Sequence, residues 1–190
     1  MTPIRSTPLR RLAALGAAVA LMLVAIPATA SAQTVRIRGV ETALAPTPAF
    51  NQLLSDNGYV LNVVSPAGPR PPLIVFPITS GRVGVSRTRI AGYVNHAGGV
   101  AVSRSGVSSS LTNFKVNFTR RPFVGVRSGV NRIKFLNLSN LRVQTVGRRL
   151  VVRADAGLAV QGAVALNRAF STTNFSTNQP VGVIQLEIRR

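Results

Sequence analysis

The chain has 190 residues, room for one domain and little for a second, and its 23 Lys and Arg against four Asp and Glu give a formal net charge of +19. With no Cys and a single His, a disulfide scaffold and a Cys-rich zinc site are both excluded, and any metal site would have to be sparse. An apolar fraction of 46% beside 14% charged residues supplies enough apolar surface for a packed core.

Only Lys115 and Lys134 are lysines; every other basic residue is Arg. Codon bias towards Arg contributes to that skew, but it does not make acids scarce. A surface with four carboxylates cannot neutralise its own arginines, so an anionic neighbour is expected.

Residues 1–32 follow an export pattern. Arg5, Arg10 and Arg11 form a basic head, Leu12 to Ile26 is apolar, and Pro27 breaks the run. Ala28-Thr29-Ala30 and Ala30-Ser31-Ala32 offer small-X-small cleavage sites, so the mature chain is expected to begin at Gln33. The apolar run is shorter than the roughly 20 residues of a membrane span. Arg10-Arg11 admits twin-arginine export as the alternative route. Losing these three arginines leaves +16 on residues 33–190, which contain no segment apolar enough to span a bilayer. The expected location is outside the cell, with cell-wall association as an option.

From Gln33 onward, short runs rich in Val, Ile and Phe alternate with polar residues and are spaced by Gly, Pro, Ser and Asn, as in an antiparallel all-β domain. Val35 and Ile37 alternate with Arg36 and Arg38. Thr47-Pro48, followed by Phe50, Leu53 and Leu54 and stopped by Asn57-Gly58, predicts a short helix. The run Pro66 to Pro72 reads as a flexible crossing between two strands. Leu73 to Ile78 is nearly all apolar, as a strand covered on both faces would be. Val100 and Val102 open another strand. Phe114, Val116 and Phe118 share a parity that Leu111 does not, which predicts a bulge near Thr112 or Asn113. Ile133 and Phe135 switch parity to Leu136 and Leu138 in the same way. Leu141 to Val146 and Leu150 to Val152 flank Gly147 as a hairpin. Ala163, Leu166, Asn167 and Phe170 predict a second short helix, and Ile184, Leu186 and Ile188 a last strand. The fold class expected is a single antiparallel β-sandwich over residues 33–190 with two short helices.

Three stretches carry a resemblance: Gly81-Arg82-Val83, Ile90 to Val100 around Tyr93-Val94-Asn95-His96-Ala97-Gly98-Gly99, and Leu111 to Val116. With Ala163 to Phe170, similar to an Ala-Leu-Asn-X-X-Phe stretch, they resemble the HtaA family of secreted actinobacterial β-domains. The resemblance implies a haem-handling β-domain in which a tyrosinate from an N-terminal Trp-Gly motif holds the iron and a histidine supports it. His96 matches the supporting histidine. The chain has no Trp, so the motif that brings the tyrosinate is not present. Tyr93 and Tyr59 are then the phenols that could stand in.

Each candidate also has a structural reading. The His96 ring could cap a backbone carbonyl in a turn, and either Tyr could be a half-buried phenol with its hydroxyl in water. Tyr93 lies three residues before His96, which on one strand puts the two on opposite faces. Arg36 with Arg38, and Arg87 with Arg89, have the spacing that shares a face; with Arg148 and Arg149 they are the candidate anion-binding residues. A merely solvated basic face is the alternative. A catalytic triad would have to use His96, no Gly-X-Ser-X-Gly elbow exists, and the four carboxylates lie far apart in sequence. No helix-turn-helix, zinc-finger or aromatic RNA-binding motif points to sequence-specific nucleic-acid recognition.

The sequence therefore reads as a secreted, non-enzymatic binding or envelope-associated protein with no catalytic residues, no metal site and no obligatory cofactor. Its expected partners are anionic envelope polymers or other polyanions. Haem, bound through His96, Tyr93 or Tyr59, is the alternative, and a secreted hydrolase is the most distant reading.

Overall fold

A computed structural model describes residues 34–36, 38–86 and 89–189; the expected leader, residues 1–32, lies outside the described residues. Strands β1 (Thr34–Arg36) and β2 (Arg38–Pro46) lead into helix α1 (Pro48–Asp56), then β3 (Val60–Val64), β4 (Gly68–Arg70) and β5 (Leu73–Val85). Next come β6 (Ile90–His96), β7 (Gly99–Arg104), β8 (Val107–Phe118), β9 (Phe123–Ser128), β10 (Asn131–Val146) and β11 (Arg149–Leu158). Helix α2 (Val160–Phe170) and β12 (Pro180–Arg189) complete the order.

The strands close on themselves. The hydrogen-bonded order β5-β2-β12-β11-β10-β9-β8 returns to β5 through β6, which pairs with both β8 and β5. The result is an eight-stranded antiparallel barrel, not the two-sheet sandwich expected. Alternating strands look alike in the two architectures, because each buries one face. The difference arises at a bend. Strand β8 pairs with β7 as far as Thr112, and past Asn113, at φ 51°, its Lys115 to Phe118 pair with β6 instead. The partner side bends at Ala97-Gly98, where Asn113 N–H donates to the Gly98 carbonyl (2.9 Å). Strands β3 and β7 thus leave the wall as an extension, and β6 becomes the stave that closes it.

Strand periodicity fills the interior. Along β11 the buried Leu150, Val152, Ala154, Ala156 and Leu158 alternate with residues open to solvent, and Ile184, Leu186 and Ile188 do the same on β12. Each fully buried Leu or Val contributes about 1.5–3 kcal/mol of transfer free energy. The expected bulges occur at Thr112/Lys115 and Lys134/Leu136, and a further one between Ser139 and Arg142 bends β10 without ending it, so Asn131–Val146 is one long strand. The proline-rich run is also more ordered than a flexible crossing: Gly68 to Arg70 pair with β5 and cover it, which explains why Ile74, Val75 and Phe76 are all buried.

Both helices carry their expected signals. Thr47 Oγ1 accepts from Phe50 N–H (3.1 Å), Pro48 opens α1, and Phe50 and Leu54 turn inward. Helix α2 rests on β10 through Gly162, where a Cβ would overlap the Phe135 carbonyl oxygen, and ends at Ser171 with φ 49°.

Candidate functional site

His96 ends β6 inside the barrel, 4% exposed. Its Nδ1 lies 3.1 Å from the Phe114 carbonyl oxygen and its Nε2 2.6 Å from Thr42 Oγ1. A carbonyl can only accept, so the Nδ1 proton donates to Phe114 and the neutral ring's Nε2 accepts from the Thr42 hydroxyl. Burial pushes the imidazole pKa down to about 4 from 6.5, against the opposing effect of the Phe114 hydrogen bond. Beside the ring is a cavity of about 30 Å³, lined by Leu44, Phe76, Phe114, Val116, Val124, Leu136 and Ile184. That is room for about one water molecule.

Tyr93 is three residues away and on the other side of the wall. It is 37% exposed, with Lys115 Nζ 4.3 Å from its ring centroid and Arg82 and Asn117 as its cross-strand neighbours. Tyr59 is elsewhere again. It follows α1, packs against Phe170 and Phe175 at 5.1 Å between centroids, and its Oη accepts from Arg104 Nη1 (3.2 Å) and Asn174 Nδ2 (3.3 Å). The three candidates do not converge on a common site.

The arginines are distributed by strand register. Arg36 and Arg38 fall on separate strands, β1 and β2, rather than one: Arg36 is opposite Arg82 of β5, and Arg38 is opposite Arg189 of β12. Arg148 sits in the β10–β11 turn and Arg149 opens β11. Arg87 lies outside the described residues, so its pairing with Arg89 is not seen; Arg89 itself is exposed at the foot of β6. Two ion pairs form among the described residues, Arg70 with Glu41 (2.6 Å) and Arg149 with Glu187 (3.3 Å).

One feature of the surface was not legible in the sequence. A groove of about 830 Å³ opens at one end of the barrel, within the usual size of a small-molecule site. One wall is the start of β6, Arg89 to Ala91; a second is the β8–β9 loop with Thr119, Arg120 and Pro122; the third is β10 from Leu138 to Val143. The bulge at Asn140, φ 52°, makes the third wall: it turns β10 out of the barrel and presents Leu141 and Val143 to the groove. Phe118 and Leu138 form an apolar floor, Arg89 and Arg120 add two positive charges, and no acid lines it. Asn140, one of the lining residues, donates from Nδ2 to Asp155 (2.7 Å). The sequence signal was the three-residue step from Leu138 to Leu141, which breaks strand parity.

Haem, the ligand implied by the resemblance, can be tested against these sites. At His96 it does not fit: both ring nitrogens are engaged and the cavity holds a water, not a macrocycle. The groove has the volume, the apolar floor and the guanidinium groups suited to a flat dicarboxylate. Yet among the described residues none of its lining side chains is a His, Tyr, Cys, Met or Lys that could ligate iron. The porphyrin body and its carboxylates fit there; an axial ligand does not.

No protein-family model matches the sequence, and no curated protein matches it. Solved structures do match by fold. The C-terminal domain of HtaA from Corynebacterium glutamicum aligns with a TM-score of 0.55 at 14% identity, over 80% of this chain and 98% of that one. The heme binding protein HtaB from the same organism aligns with a TM-score of 0.57 at 13% identity, over 83% of this chain and 96% of that one. The barrel described above is the HtaA-type fold, as the motifs around His96 imply.

Proposed function

We propose that this chain is a non-enzymatic binding protein for haem-class tetrapyrroles, exported by its expected leader, and that the groove is its site. The observation that carries the reading is the groove in a fold shared with a heme binding protein: a large apolar cleft with two arginines and no acid. Binding rests on burial of the macrocycle against Ile90, Phe118, Leu141 and Val143, with Arg89 and Arg120 taking the propionates through charge-assisted hydrogen bonds. Catalysis has no comparable support. Glu41, Asp155 and Glu187 are committed to Arg70, Asn140 and Arg149, and Asp56 accepts from Gln52 on α1.

Absorbance titration with haemin tests the reading. One equivalent is expected to saturate the protein without a tyrosinate charge-transfer band. The Arg89→Gln/Arg120→Gln variant should bind at least tenfold more weakly, since each charge-assisted hydrogen bond contributes about 1.5–3 kcal/mol. Absence of saturable binding would refute the reading, as would a tight complex whose charge-transfer band disappears in Tyr93→Phe.

A further inference from the structure

Like charges set directly opposite one another on neighbouring strands destabilise a sheet. The register of this barrel does so repeatedly. Arg142 is opposite Arg153, Arg149 is opposite Arg189, and Arg189 is in turn opposite Arg38 on its other side. Nearby, Arg36 is opposite Arg82. Leu150, Val152 and Ala154 fill the interior from the alternate positions of β11, so Arg149 and Arg153 are on its outer face, and cross-strand partners share that face. Arg142, Arg149, Arg153 and Arg189 are all exposed.

Three carboxylates share this outer face, and each is occupied. Glu187 pairs with Arg149, Glu41 pairs with Arg70, and Asp155 accepts from Asn140. Arg142, Arg153 and Arg189 make no ion pair with a described carboxylate. The repulsion is therefore only partly offset within the chain.

We propose that the outer face of β10, β11 and β12 is a docking surface for a linear phosphate polyanion. Neighbouring strands lie ~4.8 Å apart, so the exposed Arg142 and Arg153 stand side by side across β10 and β11, and Arg149 and Arg189 do so across β11 and β12. Guanidinium forks match phosphate oxygens two at a time. Besides one another and Arg38, the cross-strand neighbours of these arginines are Gln185, opposite Arg153, and Val146, opposite Arg149, and the Gln144–Val151 pair lies between them; none is aromatic, so the face reads phosphates and offers no stacking for bases. A bound polyanion relieves the repulsion, so binding should also stabilise the barrel.

Long-chain inorganic polyphosphate is the probe, with affinity measured between 50 and 200 mM salt. Neutralising about four phosphates predicts a loss of roughly 100-fold over that range, and removing two arginines should reduce it to roughly tenfold. Arg153→Gln/Arg189→Gln is the variant, and Arg127→Gln/Arg168→Gln, with the same net charge and both residues exposed elsewhere, is the control expected to bind almost as the wild type does. Arg153→Glu turns a like-charge pair into an opposite one; it should raise the melting temperature of the free protein while weakening binding. Polyphosphate should raise the wild-type melting temperature and leave that of the double variant nearly unchanged. Equal losses in the two double variants would overturn the proposal, because they would mean attraction by net charge alone. Binding to single-stranded oligothymidylate but not to polyphosphate would also overturn it, as bases rather than phosphates would then be read.

Discussion

His96 makes the stability of the fold depend on pH in a window set by one residue. Its ring is neutral in the folded chain down to about pH 4, whereas in the unfolded chain it takes up a proton near 6.5. Above 6.5 both states are neutral and the ring adds no pH dependence. As the pH falls from 6.5 towards 4, the unfolded state alone gains the proton, so stability is lost progressively and levels off once the folded ring also protonates. A gap of about 2.5 pH units corresponds to about 3 kcal/mol, or roughly 6–12 °C in melting temperature for a domain of this size. Among the described residues, His96 is the one ionisable side chain lining the cavity, so no lining group can compensate its charge. Urea unfolding followed by circular dichroism at half-unit steps from pH 7.5 to 4 gives the profile. As the only His, His96 also has a single imidazole C2–H resonance whose titration can be read directly. His96→Gln, which keeps a donor and an acceptor, should flatten the profile between 6.5 and 4. An imidazole titrating near 6.5 in the folded protein, or a variant with an unchanged profile, would refute the reasoning.

The remaining predictions concern packing. Thr42→Val removes the hydroxyl that donates to His96 Nε2 and leaves a buried acceptor unsatisfied, so urea unfolding should show a loss of about 1–3 kcal/mol. Gly162→Ala should destabilise despite the better helix propensity of Ala, because its Cβ overlaps the Phe135 carbonyl oxygen and pushes α2 off β10; a raised melting temperature would contradict this. Leu186→Ala, at a fully buried position of β12, should cost about 2–5 kcal/mol in the same unfolding assay.

What the sequence disclosed was local. Thr47-Pro48 and Asn57-Gly58 mark the ends of α1 because caps depend on a few adjacent residues. The parity steps at Thr112-Asn113 and Phe135-Leu136 are visible because a bulge shifts every later side chain by one position. Closure was not visible, since it depends on β6 pairing at once with β5 and β8, and no residue of β6 differs for having two partners. The sites follow the same division. The three-residue separation of Tyr93 and His96 already places them on opposite faces. That His96 would meet Thr42, fifty-four residues away, is a tertiary fact. The groove combines three segments distant in sequence, and its residues look ordinary in each: Ile90 and Leu141 read as core, and Arg120 as a solvated loop residue. The arginine pairs likewise require the strand register, which the sequence leaves open.

In the proposed complex a tetrapyrrole is held in the groove by its body and carboxylates. Paramagnetic broadening of assigned amide resonances by substoichiometric haemin tests it most directly, with metal-free protoporphyrin as the parallel shift-mapping ligand. Haemin is expected to broaden Ile90, Ala91, Thr119 and Ser139 to Leu141 first, and protoporphyrin to perturb the same amides. Broadening centred on Tyr93 or on Tyr59, with no response to protoporphyrin, would contradict it.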